Sequence, residues 1–214
     1  FVTSTPQKSA YGNATGIIKS PISRPYWSQT DMNGNLFFNE QTSNQIAVYN
    51  IQNSHLVEYM VPSKNPNWAD CEDKSNLNCG VAQIFGFDAT DNQIWFTEWA
   101  ENKIGVVDTQ KPLPFSVTTD KDSITIKKGE TTNIILNVDS SPNIGKFNFN
   151  SAHTASTATS SSDIQISYEM NNSNEILVSV TASPFALSGD YKLLLGVYNS
   201  EVNVSKYIDV IIEP

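Results

Sequence analysis

No apolar run in this 214-residue chain approaches the ~20 residues that a membrane-spanning helix needs. Basic residues are scarce: 13 Lys and Arg stand against 22 Asp and Glu, a formal net charge of -9. Nucleic acid, whose phosphates require a basic patch, is thereby argued against as a partner. The acidity reads either as plain solubility or as repulsion of anionic surfaces with loose attraction for cations. Histidine and cysteine occur twice each. There is no Gly-x-Ser-x-Gly, no phosphate loop and no cysteine–histidine pair. The opening Phe1-Val-Thr-Ser-Thr lacks the charged and apolar regions of a signal peptide, as a mature chain or a fragment both would. Asn, Ser and Thr are abundant instead, a composition that suits an all-β secreted or surface protein.

The two cysteines lie close together, in Asp70-Cys-Glu-Asp-Lys-Ser-Asn-Leu-Asn-Cys79. At this spacing Cys71 and Cys79 can close a short disulfide loop, worth about 2–3 kcal/mol if unstrained. Zinc would need four ligands, and neither histidine is near in sequence. A redox pair is more often Cys-x-x-Cys. The reading is a structural disulfide and an oxidising compartment. Three glycosylation sequons begin at Asn13, Asn171 and Asn203. Sequons also arise by chance in Asn- and Ser-rich chains, but with the cysteines they point to an extracellular or cell-surface protein.

Two segments overlay without a gap: Leu36-Phe-Phe-Asn-Glu-Gln-Thr-Ser-Asn-Gln-Ile-Ala-Val-Tyr-Asn50 and Ile94-Trp-Phe-Thr-Glu-Trp-Ala-Glu-Asn-Lys-Ile-Gly-Val-Val-Asp108. Phe38 matches Phe96, Glu40 matches Glu98, Asn44 matches Asn102, Ile46 matches Ile104 and Val48 matches Val106. Each copy is an aromatic strand, a polar turn around Asn and a second alternating strand. One hairpin cannot bury its own face, so a repeated hairpin implies stacked neighbours, as in the blades of a β-propeller. Asn92-Gln-Ile-Trp-Phe-Thr-Glu-Trp-Ala-Glu-Asn-Lys-Ile-Gly105 and Asn33-Gly-Asn-Leu-Phe-Phe-Asn-Glu40 resemble the blade motif of streptogramin lyase-type (virginiamycin B lyase-like) propellers. The resemblance covers roughly residues 16–110. It implies the architecture more than an activity, because fold does not fix function.

The order read along the chain is a polar N-terminal segment (1–15), propeller blades (16–110), a linker (111–114) and an Ig-like β-sandwich (115–214). Gly16–Ile22 reads as an outer strand, and Arg24–Thr30, Leu36–Glu40, Gln45–Asn50 and Leu56–Val61 as one blade. Val81–Asp88, Ile94–Thr97 and Lys103–Asp108 give most of another. The copies start 58 positions apart, at Leu36 and Ile94, whereas blades repeat at about 40–45. The excess is an insertion, residues 63–79, stapled by the cysteines. After Thr109-Gln-Lys-Pro-Leu-Pro114 short strands follow at Ser123–Lys127, Ile134–Val138, Gly145–Phe149, Ile164–Tyr168, Ile176–Val180, Tyr191–Tyr198 and Tyr207–Ile212, with no helix-period segment between them. That rhythm is the signature of an immunoglobulin or fibronectin III sandwich. Ser188-Gly-Asp-Tyr-Lys-Leu-Leu-Leu-Gly-Val197 resembles microbial Ig-like surface modules. Ser151–Ser162 reads as a low-complexity loop.

The fold class is therefore all-β: a partial propeller of about two blades plus the tail of a third, then a sandwich. A closed propeller needs at least four blades, about 160 residues, so the remaining blades are expected on the same or another chain. In streptogramin lyases a histidine follows a proline on an inner strand, with glutamate and magnesium nearby. Pro25-Tyr26-Trp27 and Val81-Ala-Gln-Ile-Phe85 hold no histidine, and His55 and His153 read as loop residues. No catalytic residue is assigned and the reading leans away from an enzyme. Glu40 and Glu98 recur in both copies, either as a repeated backbone hydrogen bond or as carboxylates holding a divalent cation at a channel, the one cofactor left open. Asp31-Met-Asn-Gly-Asn35 has an EF-hand-like start, but Thr42 stands where the bidentate Glu belongs. Tyr26, Trp27, Trp68 and Trp99 are contact candidates, each set against core packing, and Trp95 reads as core. The functions that follow are exported surface binding or scaffolding toward other surface proteins or glycans in an archaeal or bacterial envelope. The alternatives are a lyase or hydrolase with its catalytic groups outside this chain, and a structural subunit of an envelope assembly.

Overall fold

Alternation of large apolar with polar residues selects strands throughout. The computed structural model describes residues 1–4, 12, 23–75, 79–90, 92–140, 146–154, 163–172 and 174–214, and these are all-β apart from two short 3-10 turns. The sequon at Asn13 and the strand expected over Gly16–Ile22 lie outside the described residues. The chain forms two compact units, each from non-contiguous pieces. One comprises Thr5–Pro112 with Ser200–Asn203, the other Phe1–Ser4, Leu113–Asn199 and Val204–Pro214.

In the first unit, β1 (Pro25–Thr30), β2 (Leu36–Glu40), β3 (Gln45–Asn50) and β4 (His55–Met60) form an antiparallel sheet in chain order. A second antiparallel sheet holds β5 (Ile84–Ala89), β6 (Gln93–Glu98) and β7 (Lys103–Asp108). The repeat read from the sequence is thus a repeat of structure: β2–β3 and β6–β7 pair in the same register, Phe38 with Ala47 and Phe96 with Gly105. Asn44 and Asn102 occupy the left-handed region at the two turns, φ 61° and 53°, a conformation asparagine accepts better than most residues. Both first strands bulge at one place, between Pro25 and Ser28 and between Ile84 and Phe87. The sheets share a buried core, Phe37, Ile46 and Val61 from one side against Ala82, Ile84, Phe87, Ile94 and Phe96 from the other.

Three expectations fail here. Trp95, read as core, is about half exposed although Phe37, its counterpart, is buried. Phe37 has the second sheet against it, whereas no described residue covers the equivalent face of that second sheet. His55 is not a loop residue but the half-buried first residue of β4, paired with Asn50. Asn203, read as a glycosylation site, is buried; its Nδ2 donates to the buried Glu58 carboxylate (2.8 Å), which leaves no room for a glycan. Glu201 O, beside it, accepts from Met60 N (2.8 Å).

The second unit contains β8 (Phe115–Thr119), β9 (Ser123–Lys127), β10 (Thr131–Ser140), β11 (Asn148–His153), β12 (Ile164–Asn172), β13 (Glu175–Ala182), β14 (Gly189–Tyr198) and β15 (Val202–Glu213, from Val204 onward). One sheet runs β12-β13-β10-β8, all antiparallel. In the other, β14 lies between β11 and β15, and β9 pairs with β15 in parallel. Buried alternate residues such as Ile134, Leu136, Val178, Leu193 and Val210 supply its interior. The loop expected from Ser151 begins later. Ser151, Ala152 and His153 pair with Leu195, Leu194 and Leu193, because a neighbouring strand edge takes any backbone regardless of side chain. Residues 155–162 of that segment are outside the described residues. Phe1–Ser4, the start of the polar N-terminal segment, packs here: the Phe1 ring meets Tyr207 edge-on at 5.1 Å, and Tyr207 Oη donates to Val2 O.

Candidate functional site

The insertion is organised around Asn65. Its Oδ1 accepts from Asn67 N (3.0 Å), capping a 3-10 turn over Pro66–Trp68, and its backbone carbonyl accepts from Trp68 N (3.1 Å) and Val81 N (3.3 Å). Gly80 passes so close that a Cβ there would meet the Asn65 backbone at 2.6 Å, and its φ of +141° suits glycine alone. A disulfide joins Cys71 to Cys79, and both pack with Ala69 and Val81 in a small apolar cluster. Asn65 Nδ2 donates to Ala100 O (3.2 Å), tying the insertion to the turn that follows β6. That turn is held in its own right by Trp99 N to Gln83 O (3.1 Å) and Ala100 N to Ala82 O (3.0 Å).

These ties place rings from four separate stretches in series. Tyr26 lies against Phe85 (centroids 5.4 Å), Phe85 against Trp99 (6.3 Å) and Trp99 against Trp68 (5.5 Å). All four are open to solvent, 56%, 48%, 66% and 38% exposed in that order. Burial is the ordinary fate of aromatic surface, so a contiguous open row is informative where a lone exposed ring is not. Tyr26 and Phe85 occupy the same bulge of their respective sheets. Trp27 is exposed as well but joins no ring contact among the described residues. Phe85 is the member that sequence reading missed; the signal was the bulge shared with Tyr26, invisible without the ladder register.

Two rings of the row also line a groove of about 660 Å³, formed by Phe85, Thr97, Glu98, Trp99, Asn102, Lys103 and Ile104. Glu98 is buried there, and its Oε2 has no hydrogen-bond partner among the described residues. Glu40, in the matching place of the first sheet, is fully buried and accepts from Ser43 Oγ (3.2 Å). The two glutamates do not belong to a carboxylate cluster: among the described residues no three His, Cys, Asp or Glu gather as a metal site would require. His153 is half-buried on β11 with Nδ1 3.2 Å from Thr154 O. Asn171 is exposed on β12, its Nδ2 donating to Glu175 Oε1 (2.9 Å). No helix among the described residues is long and apolar enough to cross a membrane.

No family model matches this sequence, and no curated protein matches it. Among solved structures, selenomethionine-substituted virginiamycin B lyase from Staphylococcus aureus is 13% identical, over 94% of this chain and 72% of that one, with a TM-score of 0.27. A likeness of that size carries neither fold nor activity across, and the site is read from its own geometry.

Proposed function

We propose that this chain is an exported, extracellular or cell-surface binding protein whose contact surface is the aromatic row Tyr26–Phe85–Trp99–Trp68. The row is the observation that carries the reading: four rings in series, open to solvent, held by backbone hydrogen bonds on sheet ends and a stapled insertion. Such a strip favours flat apolar faces, and the pyranose faces of a neutral oligosaccharide fit it. The disulfide supports an oxidising compartment. In this reading the two sheets of the first unit are propeller-type blades, and the second unit is an Ig-like spacer or docking module.

Titration of neutral oligosaccharides against tryptophan emission tests it. Trp99→Ala and Tyr26→Ala are each expected to weaken binding about 3- to 10-fold, the worth of one ring stack, without moving the unfolding midpoint. Affinities unchanged in both variants, or no oligosaccharide bound at all, would refute it. A second reading, a structural subunit of an envelope assembly, is favoured by one observation: the apolar outer face of the β5–β7 sheet stands uncovered among the described residues.

A further inference from the structure

The uncovered face has a counterpart whose partner is visible. In the first sheet Phe37 and Ile46, with half-buried Val48, are the residues on which the second sheet rests. Shifted by the repeat, these positions are Trp95, Ile104 and Val106, which are 48%, 74% and 48% exposed. They share one face: Trp95 pairs with Val106 and Thr97 with Ile104 across the β6–β7 ladder. The polar devices of the interface repeat too. Asn44 Oδ1 accepts from Ala82 N (2.7 Å), and Asn39 Nδ2 donates to Ile84 O (2.8 Å) and Phe85 O (3.1 Å), so both grip the strand entering the second sheet. Asn102 holds the place of Asn44 in the same left-handed conformation; Thr97 stands at the place of Asn39, with its hydroxyl bonded to Gly86 of its own sheet (3.2 and 3.3 Å). Both line the groove, as does Glu98 with its unpartnered, buried Oε2.

We propose that this face and groove are a docking surface for a further β-sheet of the same repeat, carried by a partner polypeptide. Its first strand would enter the groove as Ala82–Phe85 enters beside Asn39 and Asn44, with a backbone N–H on Asn102 Oδ1. Its own Ile94- and Phe96-like residues would cover Trp95, Ile104 and Val106. A second copy of this chain does not meet the requirement, because its Ile94 and Phe96 are already buried against Phe37 and Ile46, and Phe38, the first-sheet counterpart of Phe96, is buried as well. The inference rests on the repeat and its interface and not on glycan binding, although a strand in the groove would also lie against Phe85 and Trp99 of the aromatic row.

The probe is the repeat itself. A copy of residues 52–109 inserted after Thr109 keeps the 58-residue spacing, and writing Phe at the copy's position equivalent to Trp95 leaves the original Trp95 as the reporter. Hydroxyl-radical footprinting by mass spectrometry then reads Trp95 residue by residue. Docking predicts that its oxidation rate falls at least 5-fold, and that aspartate at the copy's positions equivalent to Ile94 and Phe96 restores it. A rate equal to that of the unmodified chain overturns the proposal. An inserted copy that stays unfolded overturns it equally, because a preformed face is what should fold it. Sedimentation of the unmodified chain is the third measurement: a monomer is expected, and a dimer dispersed by Ile104→Lys would assign the face to a second copy instead.

Discussion

Replacing Asn44 should destabilise the contact between the two sheets of the first unit. Its side chain makes three hydrogen bonds, accepting from Ala82 N (2.7 Å) and donating to Val61 O and Ser63 O (2.9 Å each). Ala82 and Val61 are buried, so Asn44→Gly leaves one buried donor and one buried acceptor short of a partner, at about 1–3 kcal/mol apiece. Ser63 is half-buried and can turn to water. The expected loss is about 3–5 kcal/mol for glycine, and about 1–2 kcal/mol more for Asn44→Ala, which adds a Cβ at positive φ. Hydrogen exchange suits the two-unit chain better than a single melting curve, since two-state behaviour is not assured. Exchange at the Ala82 amide should accelerate by at least 100-fold in both variants, and faster in Ala than in Gly. If Asn44→Gly leaves Ala82 protection within threefold of the parent, the side chain does not hold the two sheets together and the repeat-interface argument fails with it.

Cys71→Ser with Cys79→Ser should lower the stability of the first unit by about 2–3 kcal/mol by loop entropy, read as a drop in urea midpoint, and should loosen Trp68 from Trp99, read as a red shift in emission. Asp31 titrates below its ordinary value of 3.8: desolvation, which would raise it, is outweighed by hydrogen bonds from the Asn35 side chain and backbone and from Asn33. A carboxyl depressed in the folded state contributes stability that is present above pH 3.8 and lost as pH falls through the folded value, so carboxyl NMR should show Asp31 protonating later than in the unfolded chain. Expressed in a glycosylating host, the protein should carry no glycan at Asn203 by peptide mapping, whereas a glycosylated Asn203 would mean that Glu58 is not its partner.

How far the sequence was legible depended on what kind of interaction fixed each residue. The spans of β2, β3, β7 and β9 were readable because alternation and turn chemistry are local. The shared turn geometry of Asn44 and Asn102 was implicit in the repeat for the same reason. Trp95 misled because a repeat reports a residue's preference for a neighbour, not whether the neighbour is there. Phe85 was missed because the bulge that turns it outward is set by ladder register. Ser151–His153 went unrecognised because a strand that borrows its place from Leu193–Leu195 needs no apolar pattern of its own. The burial of Asn203 is a contact with Glu58 across 145 positions, beyond any local pattern, and a sequon looks the same buried or exposed.

The return of Ser200–Asn203 to the first unit bears on the order of events at the ribosome. A chain released as far as Pro112 has every strand of that unit but lacks the amide for the Glu58 carboxylate and the Glu201 carbonyl for Met60 N. Those partners emerge about 90 residues later, about 5–20 s at ordinary elongation rates. During that interval the Asn203–Glu58 and Glu201–Met60 hydrogen bonds are absent from that end of β4. The N-terminal unit is therefore completed by Ser200–Asn203, made long after its own strands, and cutting the chain after Pro112 would release an incomplete first unit, not an independent one.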